Sequence, residues 1–299
     1  MMAENKSEST SNTESTVPGT GTGGTLEKAP LYKPPKERFL EVRGSVGRNE
    51  SLILGLAGVV AFFGIWEICH YLTPESQQKF LPSVEQVVGK IYGLIRDKGY
   101  FSDIGKSVYR IYLSFTVACL IAVPLGLLMG CFIKLRALIN PTVGGLRYLP
   151  AASFVPLLLV YFGPTDFAKM ALLFLGCVFF LIALILDNVL SVPKELIESA
   201  QTMGASRRHI VLKVALPAAA PQILDSMRNM IAVSWTYLVI AEIVAATDGI
   251  GAVMMRAARF LHVDIIMGGI LTIGILGVLT DISFRLAARF LFPYQYARH

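Results

Sequence analysis

The chain has 299 residues, 54% hydrophobic and only 16% charged, with a formal net charge of +6. Soluble domains carry nearer a quarter charged residues, so the composition excludes an ordinary soluble fold. Strand-type alternation is absent, which excludes an outer-membrane barrel, and basic loops on one side of a bilayer account for the net charge without a nucleic-acid partner.

Residues 1–50 are rich in Ser, Thr, Gly, Pro and charge. Such a stretch buries too little apolar surface to order itself and reads as a disordered tail. It has no apolar core with a cleavage site, so it is not a secretory signal peptide. Leu52–Leu72 then reads as an uncleaved first span, with Glu67 beside Trp66 as an interfacial residue near its outer end. After Leu81-Pro82-Ser83 an amphipathic helix is expected along the membrane surface. Ser83 and Gln86 form a capping box at its start, and Val84, Val87, Val88 and Ile91 lie on one face.

Further apolar runs follow at Val108–Ile133, Ile139–Phe162, Ala168–Leu190, Ile223–Val244 and Ile265–Leu291. A bilayer needs ~20 helical residues per crossing, so the fold class is an all-α polytopic membrane protein with about six transmembrane helices. Pro150 and Pro156 should distort the segment that carries Ser153. Lys134, Arg136, Lys194, Arg207, Arg208, Lys213, Arg285 and Arg289 fall on one side of these spans. That places both termini and the 191–217 stretch in the cytoplasm.

The 191–217 stretch is a polar insert between two apolar runs. Pro193 favours a helix start, so Lys194–Met203 reads as one short helix and Ser206–Val214 as a second. Gly204 stands at the break, where a left-handed backbone suits only Gly. Leu196, Ile197 and Ala200 form an apolar ridge beside Glu198 and the Arg207-Arg208 pair, and Pro217 and Pro221 are expected to limit helix continuation before the next span. Such an insert fits a groove on a soluble partner.

Its spacing, Glu198-Ser199-Ala200, then Gly204-Ala205, then Val214-x-Leu216-Pro217, resembles the coupling loop of permease subunits in ATP-driven (ABC) importers. Ser199 replaces the usual Ala and Val214 the usual Ile. The resemblance extends through Leu81-Pro82-Ser83, Pro124-Leu125-Gly126, Leu149-Pro150 with Pro156, Trp235 with Glu242, and Gly249-Ile250-Gly251. Together these match the nitrate/sulfonate/taurine/bicarbonate branch over about three quarters of the chain; the tail lies outside it.

That resemblance implies the type I importer (MetI-like) permease fold. Residues 51–103 would hold the first span and external helix, 104–292 the core, and 293–299 a cytoplasmic tail. It also implies a second permease copy or a paired homologue, an external solute-binding protein, and cytoplasmic ABC ATPase subunits docking on Glu198–Gly204. Those partners would use ATP and Mg, with no cofactor bound by this chain. The implied cargo is nitrate, bicarbonate, taurine or another sulfonate.

No catalytic or ATP-binding constellation appears. Gly105-Lys106-Ser107 imitates the end of a phosphate loop, but the earlier Gly would fall at Tyr100 and no apolar strand precedes it. The four His are scattered, and Cys69, Cys119, Cys131 and Cys177 read as small apolar residues within spans. Asp187-Asn188 reads as loop support. Asp225–Arg228 and Asp281–Arg285 are spaced as structural ion pairs, although Arg147 and Arg228 could also attract an anion. Trp235 and Glu242 are two helical turns apart and share a face. That face, with Ser153 and Pro156, is the expected lining of a translocation path, with bundle packing as the other reading. An ATP-independent secondary transporter or channel is the alternative function, but it would need coupling-ion residues or an inverted repeat.

Overall fold

A computed structural model describes residues 47–97, 99–244 and 247–296. The expected N-terminal tail lies outside the described residues as far as residue 46, as do residues 297–299. The chain divides into two compact units, Met1–Gly55 and Leu56–His299. Of the first, the described part is the opening of helix α1 (Arg48–Leu72).

Among its described residues the second unit is built of helices joined by turns, with no strand. After α1 come α2 (Val84–Asp97), α3 (Tyr100–Cys131), α4 (Ile133–Leu146) and α5 (Val155–Phe162). Then follow α6 (Asp166–Leu190), α7 (Lys194–Thr202), α8 (Arg207–His209), α9 (Leu216–Val244), α10 (Ile250–Arg259), α11 (Val263–Leu291) and α12 (Pro293–Tyr296). Among the described residues five helical stretches are long and apolar enough to span a bilayer, at 49–72, 100–131, 166–190, 207–244 and 263–291.

The expected span Ile139–Phe162 is not continuous. α4 and the segment from Ala151 to Phe162 are bent by 81° at a short break. The cause lies in the sequence: residues before a proline avoid the α region, and Leu149 precedes Pro150. The chain resumes as a 3-10 turn, Ala151–Phe154, leading into α5 with Pro156 in its first turn.

α3, α6 and α9 form the core. Ile111, Phe115, Leu173, Leu181, Ile185, Ile231, Trp235 and Leu238 pack in one buried cluster. The α3–α6 seam is tight because Gly126 and Gly130, four apart, present bare backbone to Ile185 and Val189. A Cβ at Gly126 would sit 2.8 Å from the Ile185 Cβ.

Leu81-Pro82-Ser83 is gripped by α1. Trp66 Nε1 donates to the Pro82 carbonyl at 3.0 Å, and Glu67 accepts from the Val84 N–H at 3.1 Å. Glu67 therefore caps a helix as well as standing beside an aromatic. The capping box forms as expected: the Gln86 N–H donates to Ser83 Oγ at 3.2 Å and the Ser83 N–H to Gln86 Oε1 at 3.1 Å. The buried stripe of α2 runs through Val87 and Leu94, while Val88 is 53% exposed. α2 packs on α11, with Ile91 against Gly268 and Lys90 3.5 Å from Asp264. Ser83→Ala removes a cap worth ~1 kcal/mol, so amide hydrogen exchange in the first turn of α2 is expected to quicken about fivefold.

Candidate functional site

Two polar regions stand at opposite ends of α9, some 40 Å apart by helix rise. The first is the insert. α7 begins after Pro193 and ends at Thr202, where the Ala205 N–H bonds the Ala200 carbonyl at 3.0 Å. Gly204 sits at φ +80 with nothing near the place of a Cβ. Glycine is required there by backbone conformation, not by crowding. Ser206 caps the next helix through the His209 N–H.

The expected apolar ridge of α7 is divided. Ala200 is 6% exposed and turned into the subunit, and Ile197 is half-buried, because α7 lies on the 210–215 segment. Leu196 and Met203 (82% exposed) face outward with Glu198, Ser199, Arg207 and Arg208.

The helix does not stop at Pro217 or Pro221. Arg207–Val244 is one continuous stretch. Residues Ile210–Ala215 wind as a π-helix, which explains the difference at Pro217; Pro221 lies inside the regular α9. Proline lacks an N–H and its ring strikes the carbonyl four residues back. The wider π turn moves the Lys213 carbonyl out of register with Pro217. Leu216 is half-buried and Pro217 exposed at this junction.

The second region gathers charge where α3, α6 and α9 meet the 247–251 turn. Glu242, fully buried, accepts from Ser107 Oγ at 2.7 Å, Arg110 at 2.8 Å and the Gly251 N–H at 2.8 Å. Arg110, also fully buried, further donates to Asp166 at 2.6 Å and to the Asp248 carboxylate. Lys169 reaches Asp248 at 3.0 Å and Thr247 at 2.8 Å, and Lys106 reaches Asp248 at 2.8 Å. Gly249-Ile250-Gly251 follows from this cluster. Gly249 sits at φ +99 against the Glu242 carboxylate, and a Cβ at Gly251 would lie 2.8 Å from the Glu242 Cβ.

Trp235 is 3% exposed and Glu242 fully buried, so their shared face is packed inside the subunit. Trp235 packs in the core, and Glu242 is turned inward by Arg110 and the Gly251 N–H. Ser153 and Pro156 are exposed on the bent segment. The two expected ion pairs form and are joined through Arg228, which lies 3.1 Å from Asp225 and 3.3 Å from Asp281. Asp281 in turn meets Arg285 at 2.7 Å, so the charge of Arg228 is balanced. Arg147 lies over the Tyr148 ring. Asn188 supports the turn before α7 by donating to Ser226 at 2.7 Å.

Arg110, Lys169, Asp166 and Asp248 did not emerge from sequence reasoning. The available signal was the cost of Arg110 and Lys169 inside apolar helices, where a charge must find partners.

Burial alone would raise the Asp248 carboxyl. Hydrogen bonds from Lys106, Lys169 and Arg110, with the charge of Arg110, hold it well below the usual carboxylate range instead. A carboxyl lowered on folding adds stability that is complete above its unfolded value of ~3.9 and fades as pH falls below it. Thermal unfolding in detergent is expected to show an acid limb below about pH 4 that shrinks in Asp248→Asn.

A helical bundle of this design, with paired intramembrane charges and a structured polar insert between spans, defines a polytopic transport permease. Residues 122–293 match the model of the binding-protein-dependent transport system inner membrane component family. The chain belongs to that family and is the permease subunit of an ABC importer. It is 33% identical to the taurine transport system permease protein TauC of Escherichia coli (strain K12), over 86% of this chain and 94% of that one. It is 28% identical to the putative aliphatic sulfonates transport permease protein SsuC of Bacillus subtilis (strain 168), over 87% and 95%. Its fold is that of type I importer permeases: it matches a chain of the inward-facing MetNI methionine ABC transporter with a TM-score of 0.58 at 20% identity. That match covers 64% of this chain and 94% of that one.

Proposed function

We propose that this permease carries a small sulfonate, with taurine as the model cargo, and that a cytoplasmic ATPase drives it through α7. The observation that carries the coupling is the outward face of the insert: Leu196, Met203, Glu198 and Arg207-Arg208, held on a turn that Gly204 permits. An apolar pair rimmed by charges of both signs suits a groove on a soluble protein. The relative named for taurine, at 33% identity, supports the cargo ahead of the one named for bicarbonate, at 28%.

On this reading the insert and both termini are cytoplasmic, and the Glu242 cluster faces outside, where a solute-binding protein delivers cargo. Glu198, Ser199, Gly204 and Ala205 carry the contact, Ala200 seats α7 on its own subunit, and Leu216 and Pro217 pass its motion into α9. A second permease subunit completes the path, to which Ser153 and Pro156 contribute. ATP and Mg are used by the ATPase, and this chain catalyses nothing itself. Cells carrying the complete system should accumulate labelled taurine in an ATP-dependent way, with excess methanesulfonate competing and nitrate or bicarbonate not. Accumulation blocked equally by nitrate would reject the sulfonate assignment, and accumulation without ATP would reject the coupling.

A further inference from the structure

The buried side of α9 is settled by packing; its open side carries a different pattern. Gln222, Asp225, Asn229, Ala232, Val233 and Thr236 are exposed and recur three or four residues apart, which places them on one face. Counted back from Val244, Thr236 lies ~12 Å and Asn229 ~22 Å into the helix. Both depths fall within a hydrocarbon layer of ~30 Å. An amide facing lipid there is costly, and such polar groups normally face water or protein. Thr236 spends its hydroxyl proton on the Val233 carbonyl, 2.6 Å away, whereas the Asn229 side chain has no hydrogen-bond partner among the described residues.

The bent segment supplies the neighbouring wall. Its 3-10 turn packs on α9, with Ala151 clustered against Ala241 and beside Tyr237 and Ile240. Ser153, on the same turn, stays exposed with its hydroxyl unpartnered among the described residues. The kink thus sets an open hydroxyl on a turn that packs near the outer end of α9. From Asn229 to Val244 the only charged side chain is Glu242, which is buried and paired.

We propose that Asn229 and Thr236 of α9, with Ser153 of the bent segment, line the aqueous path and are the specificity-determining contacts for the passing anion or zwitterion. This rests on the importer reading and names the residues that would carry it. Neutral amide and hydroxyl groups replace part of the hydration of a sulfonate without holding it as a full cation would. Conduction needs binding weak enough to release.

The test uses the full chain in membranes with its partner subunits. Asn229→Cys, Thr236→Cys, Trp235→Cys and Ile275→Cys, 59% exposed on α11, are each reacted with sulfonatoethyl methanethiosulfonate, and labelling above the wild-type chain is read. A thiol reacts as thiolate, which forms in water and not in lipid or a packed core. Positions 229 and 236 are expected to label about tenfold faster than 235 and 275, with excess taurine slowing both. Asn229→Asp should cut accumulation of the net anion methanesulfonate about tenfold by charge repulsion in a low-dielectric path while the variant still co-purifies with its ATPase. Labelling at 229 and 236 no faster than at 235 and 275 would place the stripe against lipid or in a dry contact with a second copy and overturn the proposal. So would wild-type accumulation of methanesulfonate by Asn229→Asp. Failure of the importer reading shows separately, as wild-type accumulation that is independent of ATP.

Discussion

Arg110→Leu is expected to lose most of its folded protein in detergent, because it strands Glu242 in a fully buried site. Glu242 would retain Ser107 and the Gly251 N–H, and Asp166 and Asp248 would keep Lys169 as their shared cation but lose Arg110. Removing one partner of a buried pair costs about 3–5 kcal/mol, because the remaining charge is uncompensated. Replacing both partners with apolar residues of similar volume costs less. Arg110→Met with Glu242→Met should therefore unfold at a higher temperature than either single variant. A double variant as weak as the sum of the singles would show that the two side chains act independently. The cluster joins the ends of α3, α6 and α9 to the turn before α10, so its loss should also loosen α10, visible as faster amide exchange over Ile250–Arg259.

Gly126→Leu and Gly130→Leu are the second pair of damaging changes. α3 approaches α6 so closely that any side chain at Gly126 meets Ile185, whose Cβ would be 2.8 Å from the new Cβ, and the Ile182 carbonyl at 3.1 Å. Small residues four apart let helices in a bilayer come together by van der Waals contact. Overpacking such a seam costs about 1–3 kcal/mol, and more where backbone must move. Both variants should show lower unfolding temperatures and poorer yield. Gly144→Leu and Gly145→Leu serve as controls, since nothing lies within 4 Å of a Cβ at either position.

All spans but the broken Ile139–Phe162 were legible in the sequence because a bilayer forces apolar length, and the insert because polar residues are unexpected between spans. The capping box at Ser83 was also legible, being a local bond pattern over three residues. What stayed hidden depended on partners distant in sequence. Glu242 was recognised as an intramembrane acid, but its direction is set by Arg110, 132 residues earlier. Periodicity places Trp235 and Glu242 on a common face without saying whether that face is core or opening. Ala200 looked like part of a docking ridge until α7 was seen lying on the 210–215 segment. The proline at 217 misled for a local reason: a stop and a π turn are both answers to a missing N–H, whereas Pro221 is carried inside a regular α-helix. The pair Gly126 and Gly130 was readable as a small-residue repeat, although only Gly126 entered the motif reading.

Co-purification of the ATPase tests the central claim most directly. The wild-type chain solubilised from membranes should bring an ABC ATPase with it. Glu198→Lys reverses a charge on the exposed face of α7, and Gly204→Pro forbids the φ of +80 at the turn. Either change should release the ATPase while Trp235 and the α3–α6–α9 core unfold at the wild-type temperature. A wild-type chain that purifies alone and passes taurine in liposomes without ATP, or an ATPase that stays bound to both variants, would contradict the account.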